Sequence, residues 1–144
     1  ALSSAKKAGL SGIVDIREGI YEDLPVEDES VDVVISNGVV NLAPDKDRVF
    51  SEIYRVLKPG GRLYMADVVV MRELKPEARN NPDLWAACIA GALVEDELPD
   101  VAASAGFTDC EIKEKFDCFR NTTAEIKVSK DLLVHGANFF ARKP

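Results

Sequence analysis

This 144-residue chain has three cysteines, Cys88, Cys110 and Cys118, whose thiol sulfurs are soft, polarisable donor atoms. A thiolate is both a nucleophile and a ligand for soft metal ions. No two of the three have the CxxC spacing of a zinc or redox site, so we expect no resident metal. Three cysteines cannot all pair with one another, which favours free thiols in a reducing, cytoplasmic setting. A cysteine alone on a short helix, such as Cys88, is more often a small packed hydrophobe than a ligand.

Polar residues lie just after one apolar, β-branched run of the sequence and inside another. Ser36, Asn37 and Gly38 come after the first run, and Asp67 falls within the second. Open parallel sheets bind ligands at the carboxyl ends of their strands. An asparagine can both donate and accept hydrogen bonds, and a glycine lets a ligand approach the backbone closely. We expect these residues at the mouth of a cleft, where Asp67 either orients a substrate or caps its strand.

Two further residues carry weaker signals. His135 is the sole histidine, and it could serve as a base near the cleft, although a surface or packed histidine is the more common case. Trp85 is typical of an aromatic anchor for its own short helix, with lining of a hydrophobic pocket as the alternative.

Composition excludes several classes of protein. The chain has 18 Lys and Arg against 25 Asp and Glu, a net charge of −7, which argues against nucleic-acid binding. Its 47% hydrophobic and 30% charged residues are typical of a globular domain. No apolar run approaches the roughly 20 residues that span a bilayer, and no export signal is visible. We therefore expect neither a nucleic-acid nor a membrane partner.

The clearest local pattern predicts a strand, a helix and a second strand. Residues 31–36 and 63–70 are almost continuously apolar, as in strands covered on both faces. Between them, Pro44 and Asp45 start a helix whose apolar residues repeat at helical spacing, and the Pro-Gly-Gly at 59–61 ends it. Such a unit must be parallel.

The remaining elements complete one α/β domain over residues 1–144. We expect a helix over 1–10, a strand over 13–17, a helical turn over 75–80, and helices over 82–91 and from near Pro99 to 105. Strands are expected over 108–119 and 132–142, connected by 121–130. The fold class is a Rossmann-like, mostly parallel sheet with flanking helices.

The run LPVEDESVDVVISNGVVNLAPDKDRVFSEIYRVLKPGGRLYMADVV resembles the class I S-adenosylmethionine-dependent methyltransferases. The LKPGG turn is shared by most of that superfamily. SNGVVNLAPDK and DLWAACIAGAL are narrower and are most similar to the arsenite methyltransferases. Quinone-type C-methyltransferases resemble the chain less closely.

The glycine-rich GxGxG cofactor loop of this superfamily has no counterpart here, because no two of the nine glycines are separated by a single residue. The acid that ends the family's second strand has no match either. The resemblance therefore implies a C-terminal portion that lacks the first strands, is inactive alone and binds S-adenosylmethionine weakly or not at all. Since the family's strand order is 3-2-1-4-5-7-6, the 31–36 strand would have an open edge, covered either in a homodimer or by the 13–17 strand.

The resemblance also implies site residues. Ile20 and Tyr21 follow the family's third strand and are expected at the adenine, where Ile20 replaces the usual acid. Ser36, Asn37 and Gly38 are expected at the S-adenosylmethionine and acceptor side. Two substrate-side residues complete the set, Cys88 and Cys118.

For the acceptor, the resemblance implies arsenite, because trivalent arsenic is a soft thiophile held by thiolates. Arsenite-type relatives place a ligand cysteine where Cys88 lies, and Cys118 is the candidate second ligand if its loop folds over the cleft. Cys110 is expected to be structural, and Leu132 lies where relatives carry another thiol. The alternatives are a small-molecule C- or O-methyltransferase of the quinone-biosynthesis type, or a non-catalytic remnant that acts as an association module.

Overall fold

The computed structural model describes residues 1–121, 125 and 133–144. Within them, five strands form one mixed sheet in the order β1-β2-β5-β4, and a short β3 also pairs with β2. The strands are β1 (Val31–Asn37), β2 (Leu57–Val70), β3 (Leu93–Val94), β4 (Thr108–Phe116) and β5 (Val134–Arg142). The helices are α1 (Leu2–Lys7), a 3₁₀ helix (Val40–Leu42), α2 (Lys46–Val56), α3 (Pro76–Arg79), α4 (Pro82–Ala86) and α5 (Leu98–Ser104).

The strand-helix-strand unit is confirmed. Strand β1 pairs with β2 in parallel, and α2 connects them. Asp45 caps α2 by accepting from the backbone N–H of Arg48. The apolar residues of α2 are buried against one face of the sheet, together with α5, which begins next to Pro99 as expected. This layer contains most of the core: Val49, Phe50, Ile53, Leu57, Leu63, Met65, Leu98, Ala102, Phe107 and Phe139.

The expectation that β1 is covered on both faces is wrong. Val31 and Val34 pack against the core, whereas Ile35 is 80% exposed and Val33 39% exposed. The helices α2 and α5 cover only one face, and β1 is the outermost strand of the described sheet.

The predicted strand over 13–17 is also absent from the structure. No strand of the described residues lies beside this segment, so its backbone has no ladder to join. Arg17 instead donates to Asp15, Glu27 and the carbonyl of Pro25, and these contacts form a loop. Ile13 is 82% exposed. The 13–17 segment therefore does not pair with β1, and homodimerisation through that edge stays a prediction.

The Pro-Gly-Gly at 59–61 does not itself end α2, which stops at Val56. It forms an irregularity within β2, where the pairing with β1 jumps from Val31–Leu57 to Val33–Arg62. The left-handed Gly60, with φ of +79°, donates its N–H to the carbonyl of Lys143. These glycines thus join β2 to the end of the chain.

Other boundaries shift by a few residues. Helix α4 ends at Ala86 rather than near residue 91, β4 ends at Phe116, and β5 begins at Val134. The predicted 121–130 connection and Leu132 lie almost entirely outside the described residues. None of the helices in the described part of the chain is long and apolar enough to cross a bilayer.

Lys143 closes the carboxyl end of α2. Its side chain is nearly buried, and its Nζ donates to the carbonyls of Leu57 at 2.8 Å and Tyr54 at 3.1 Å. The ammonium also lies 4.5 Å from the centre of the Tyr54 ring and 3.3 Å from Glu29 Oε1. A cation is favourable here because the last carbonyls of a helix have no partner within it.

Replacing this lysine tests the arrangement. We expect Lys143→Met to lower the free energy of unfolding by about 1.5–3 kcal/mol, the usual worth of hydrogen bonds from a buried charge. Urea unfolding followed by circular dichroism measures it. Lys58→Met is the control, because Lys58 forms an exposed ion pair with Asp32 whose loss typically costs about 0–1 kcal/mol. Equal losses in the two variants would contradict the assignment.

Candidate functional site

A cavity of about 190 Å³ lies at the carboxyl ends of β1 and β2. The end of β1 contributes Asn37 and Gly38, and β2 contributes Asp67. The turn after α4 adds Cys88 to the wall, and the chain beyond β4 adds Cys118. Phe116 at the end of β4 and Gly136 of β5 line the cavity as well. Residues that are far apart in sequence therefore meet where an open parallel arrangement binds ligands.

Cys88 occupies an unusual backbone position. Its φ is +61°, a left-handed conformation that is rare for residues other than glycine. Its N–H donates to the carbonyl of Trp85, and its Sγ lies 3.5 Å from the carbonyl oxygen of Gly38. This left-handed turn ends α4, which is why the helix is shorter than its sequence pattern predicts.

The two cavity thiols have a similar electrostatic environment. Burial raises the pKa of Cys88, and the negative charge of Asp67 raises it further. Burial likewise raises the pKa of Cys118, a backbone hydrogen bond of the same residue opposes this shift, and the charge of Asp117 adds a smaller rise. Both groups are therefore thiols rather than thiolates near neutral pH.

Cys110 does not line this cavity. It lies on β4, and its Sγ is 3.9 Å from the carbonyl oxygen of Thr108. The structure thus brings together the two cysteines expected on the substrate side and leaves apart the one expected to be structural.

Asp67 and Asn41 form a buried polar network beneath the cavity. The carboxylate of Asp67 accepts from the N–H of Val68 at 2.8 Å and the N–H of Asn41 at 3.2 Å. The Asn41 amide donates to the carbonyls of Val68 at 2.6 Å and Cys88 at 3.1 Å. Burial raises the pKa of Asp67, although the backbone hydrogen bonds oppose this shift. Asp67 thus caps the backbone and also lines the cavity, so both expected roles are compatible with its position.

Lys46 extends this network. Its Nζ donates to the carbonyl of Asn41 at 3.1 Å and to that of Ala43, and it lies 5.8 Å from the centre of the Trp85 ring. Burial lowers the pKa of Lys46. Trp85 Nε1 donates to the carbonyl of Arg79, so Trp85 is a packing anchor. Asn41 and Lys46 were not singled out from the sequence, although both lie in the SNGVVNLAPDK segment.

The residues expected at the cofactor are only partly assembled. Asn37 and Gly38 line the cavity, and a Cβ added to Gly38 would meet nothing within 4 Å. Among the described residues, Ser36 Oγ is a buried side-chain oxygen without a hydrogen-bond partner, an exception to the rule that buried polar groups are paired. Ile20 is 63% and Tyr21 43% exposed, and neither lines this cavity. Their contact with adenine stays a prediction.

His135 is outside the cavity as well. It pairs with Val69 across β2 and β5, where it is half-buried, and this position fits a packed histidine.

A second cavity of about 320 Å³ lies beside Ser36, Asn37, Tyr64 and Phe140.

The raised pKa of Cys88 has a measurable consequence. Because the thiolate is the form that reacts with iodoacetamide, a raised pKa leaves less of it at pH 8. In a Cys110→Ser/Cys118→Ser background, we expect Cys88 to be alkylated more slowly than an unfolded peptide thiol. The alkylation rate of Cys88 should also level off at a higher pH than that of the peptide thiol. Rates measured from pH 7 to 10 test this, and a plateau at lower pH than the peptide would contradict it.

Sequence comparison decides the family. A family model described as a methyltransferase domain matches residues 1–119. The chain belongs to this methyltransferase domain family. Within it, the chain is a class I S-adenosylmethionine-dependent type close to the arsenite methyltransferases. One of these, from Halobacterium salinarum, is 44% identical over 133 residues, which cover 91% of this chain and 34% of the relative. The human arsenite methyltransferase is 49% identical over 82 residues, 57% of this chain and 22% of the relative.

Solved structures agree with this assignment. The methyltransferase domain matches an arsenic (III) S-adenosylmethionine methyltransferase from Chlamydomonas reinhardtii with a TM-score of 0.69 and 38% identity. The match covers 87% of this chain and 42% of that one. A putative sarcosine dimethylglycine methyltransferase from Galdieria sulphuraria, at 18% identity and a TM-score of 0.75, shows the fold alone. The chain spans about a third of the length of the Halobacterium relative.

Proposed function

We propose that this chain supplies the acceptor side of a methyltransferase that transfers the methyl group of S-adenosylmethionine to trivalent arsenic. Cys88 and Cys118 are the proposed arsenic ligands. The observation that carries the proposal is the presence of both thiols in one cavity at the carboxyl ends of β1 and β2. The names of the arsenite methyltransferases that the chain matches support the same acceptor.

The chemistry of the two thiols suits arsenite, As(OH)₃. Each thiol forms an As–S bond and displaces one hydroxyl group, which leaves with the thiol proton as water. Because burial keeps Cys88 and Cys118 protonated near neutral pH, no other base is needed for this exchange. The product is a neutral arsenic centre with two sulfur ligands and one hydroxyl, suited to a cavity with apolar walls.

Soft ligands leave the reactive electron pair of arsenic available. In the proposed transfer the As(III) lone pair would form the new As–C bond, the S–CH₃ bond would break, and the electron pair of that bond would stay on sulfur. S-adenosylmethionine, when bound, supplies an electrophilic methyl group. The protein's task is then to hold the acceptor in line, a contribution that is large in principle.

The end of β1 fits the cofactor side of such a site. Gly38 lies next to open space, and Ser36 offers a hydroxyl oxygen without a partner in the described chain. Asn37 lies between them and also lines the cavity that contains Cys88 and Cys118. We assign these residues, with Ile20 and Tyr21, to the cofactor side, and Cys88 and Cys118 to the acceptor.

Thiol protection tests the acceptor site directly on this chain. After addition of one equivalent of arsenite, the protein is alkylated briefly with iodoacetamide, and the modified cysteines are counted by mass spectrometry. We expect arsenite to protect Cys88 and Cys118 while Cys110, an internal control, is modified at an unchanged rate. Equal modification of all three cysteines with and without arsenite would overturn the proposal.

A small organic molecule is the second candidate acceptor. The rings of Phe116 and Phe119 line the same cavity, and aromatic walls suit a flat apolar substrate. In that case arsenite would protect neither Cys88 nor Cys118, and replacing either cysteine by serine would leave methyl transfer nearly unchanged.

A further inference from the structure

Asn41 connects three segments that are distant in sequence. It lies in the 3₁₀ helix after β1 and is 2% exposed. Its side-chain amide donates to the carbonyl of Val68, at the end of β2, and to the carbonyl of Cys88, in the turn after α4. One side chain thus fixes the relative position of the two walls of the cavity.

The Cys88 turn needs such support. A non-glycine residue in the left-handed conformation is strained, and this conformation persists only where its surroundings fix it. The carbonyl of Cys88 accepts from Asn41, and its N–H donates to the carbonyl of Trp85. With both ends of the residue held, the thiol is directed at Gly38 and the cavity.

Asn41 is itself held firmly. Its N–H donates to Asp67, and its carbonyl accepts from Lys46 Nζ. Gly91 passes so close that an added Cβ would lie 1.9 Å from the Asn41 carbonyl oxygen. The backbone of Asn41 therefore has little freedom to move, and this keeps its side-chain amide within reach of Cys88, as a rigid support for a functional group requires.

We infer that Asn41 is a positioning residue for Cys88: its side-chain amide holds the left-handed turn that points the thiol into the cavity. The consequence for arsenic binding rests on the proposed function, whereas the consequence for the Cys88 thiol does not. The two are therefore measured separately.

The first measurement follows the thiol alone. In a Cys110→Ser/Cys118→Ser background, Asn41→Leu keeps the size of the side chain but removes both donors. We expect iodoacetamide to alkylate Cys88 at least tenfold faster in this variant, because the released thiol becomes more exposed. Asn41→Ser, whose hydroxyl is too short to reach both carbonyls, should change the rate in the same direction and serves if Asn41→Leu does not fold.

The control separates positioning from a general loss of stability. Val56 is buried at the end of α2, next to Leu57, which pairs with Val31 at the opposite end of β1 from the cavity. Val56→Ala should therefore destabilise the fold without moving Cys88. Its alkylation rate should stay within twofold of the parent. If Val56→Ala and the Asn41 variants accelerate alkylation equally, Asn41 has only a structural role and the inference is overturned.

The second measurement uses arsenite with all three cysteines present. We expect Asn41→Leu to weaken arsenite binding at least tenfold, measured by calorimetry against the unsubstituted chain. If Asn41→Leu accelerates Cys88 alkylation but the unsubstituted chain does not bind arsenite, the positioning role is supported and the proposed function is overturned. Tight arsenite binding that Asn41→Leu leaves unchanged, with an unchanged alkylation rate, would overturn the positioning role alone.

Discussion

Replacing Cys88 by serine is expected to reduce arsenite methylation by at least roughly 100-fold, since loss of even an outer-shell partner of a ligand typically costs about 10- to 100-fold. Serine keeps the size of the side chain but offers a hard oxygen in place of a soft sulfur. The thiol lies in the cavity with Cys118 and Asp67, so its loss leaves one of the two proposed ligands. Methylated arsenic is quantified by chromatography, on the polypeptide at its full natural length.

Two controls make this result specific. Cys110→Ser should retain the parent rate, because Cys110 is outside the cavity. A Cys118→Ser variant should lose activity as Cys88→Ser does. Full arsenite turnover by Cys88→Ser would show that the thiol is a packed side chain, and the organic acceptor would become the better proposal.

The second large effect is expected at Gly91, which lies behind the cavity wall. A Cβ there would lie 1.9 Å from the carbonyl oxygen of Asn41 and 2.7 Å from the ring of Trp85. Both neighbours are tied by hydrogen bonds, to Lys46 and Arg79 respectively, so neither can give way cheaply. We expect Gly91→Ala to lower the free energy of unfolding by about 3 kcal/mol, the upper end of typical overpacking costs.

Urea unfolding of Gly91→Ala is compared with that of Gly12→Ala. An added Cβ at Gly12 meets nothing within 4 Å, so this control should stay within about 1 kcal/mol of the parent, as for an unstrained Gly-to-Ala change. If the two variants unfold alike, the close approach of the 88–91 turn to Asn41 is wrong, and the positioning inference is weakened with it.

Local sequence patterns predicted the strand-helix-strand unit of β1, α2 and β2 well, because the two patterns that define its helix are short-range. Asp45 supplies the cap, and the apolar residues of α2 repeat at helical spacing. The parallel pairing of β1 and β2 then follows from the connection through a helix. These elements needed no knowledge of distant parts of the chain.

The failures come from long-range partners. The 13–17 segment has the residues of a strand, but a strand forms only where another strand offers its backbone, and none of the described strands does so. The exposure of Ile35 has the same origin, because burial of both faces of β1 depends on layers outside its own sequence. A β-branched run predicts that a segment can form a strand, but it does not predict which strands or helices will lie next to that segment.

The candidate site shows the same division. Asn37 and Gly38 were expected at the cleft because of their residue types at the end of a strand, whereas Cys88 and Cys118 were expected there from the resemblance to the arsenite methyltransferases. The role of Asn41 could not be predicted in this way, because its side chain binds the backbone carbonyls of Val68 and Cys88. Every residue type has a backbone carbonyl, so the sequence does not mark these partners. A polar residue between β1 and α2 was the only available signal.

The ligands of bound arsenic test the central claim most directly. One equivalent of arsenite is added to the chain, and X-ray absorption at the arsenic edge counts the sulfur and oxygen neighbours. We predict two sulfur neighbours in the parent and in Cys110→Ser, falling to one in Cys88→Ser and in Cys118→Ser. Arsenic with oxygen neighbours only, or a sulfur count unchanged in the Cys88→Ser/Cys118→Ser double variant, would contradict the account.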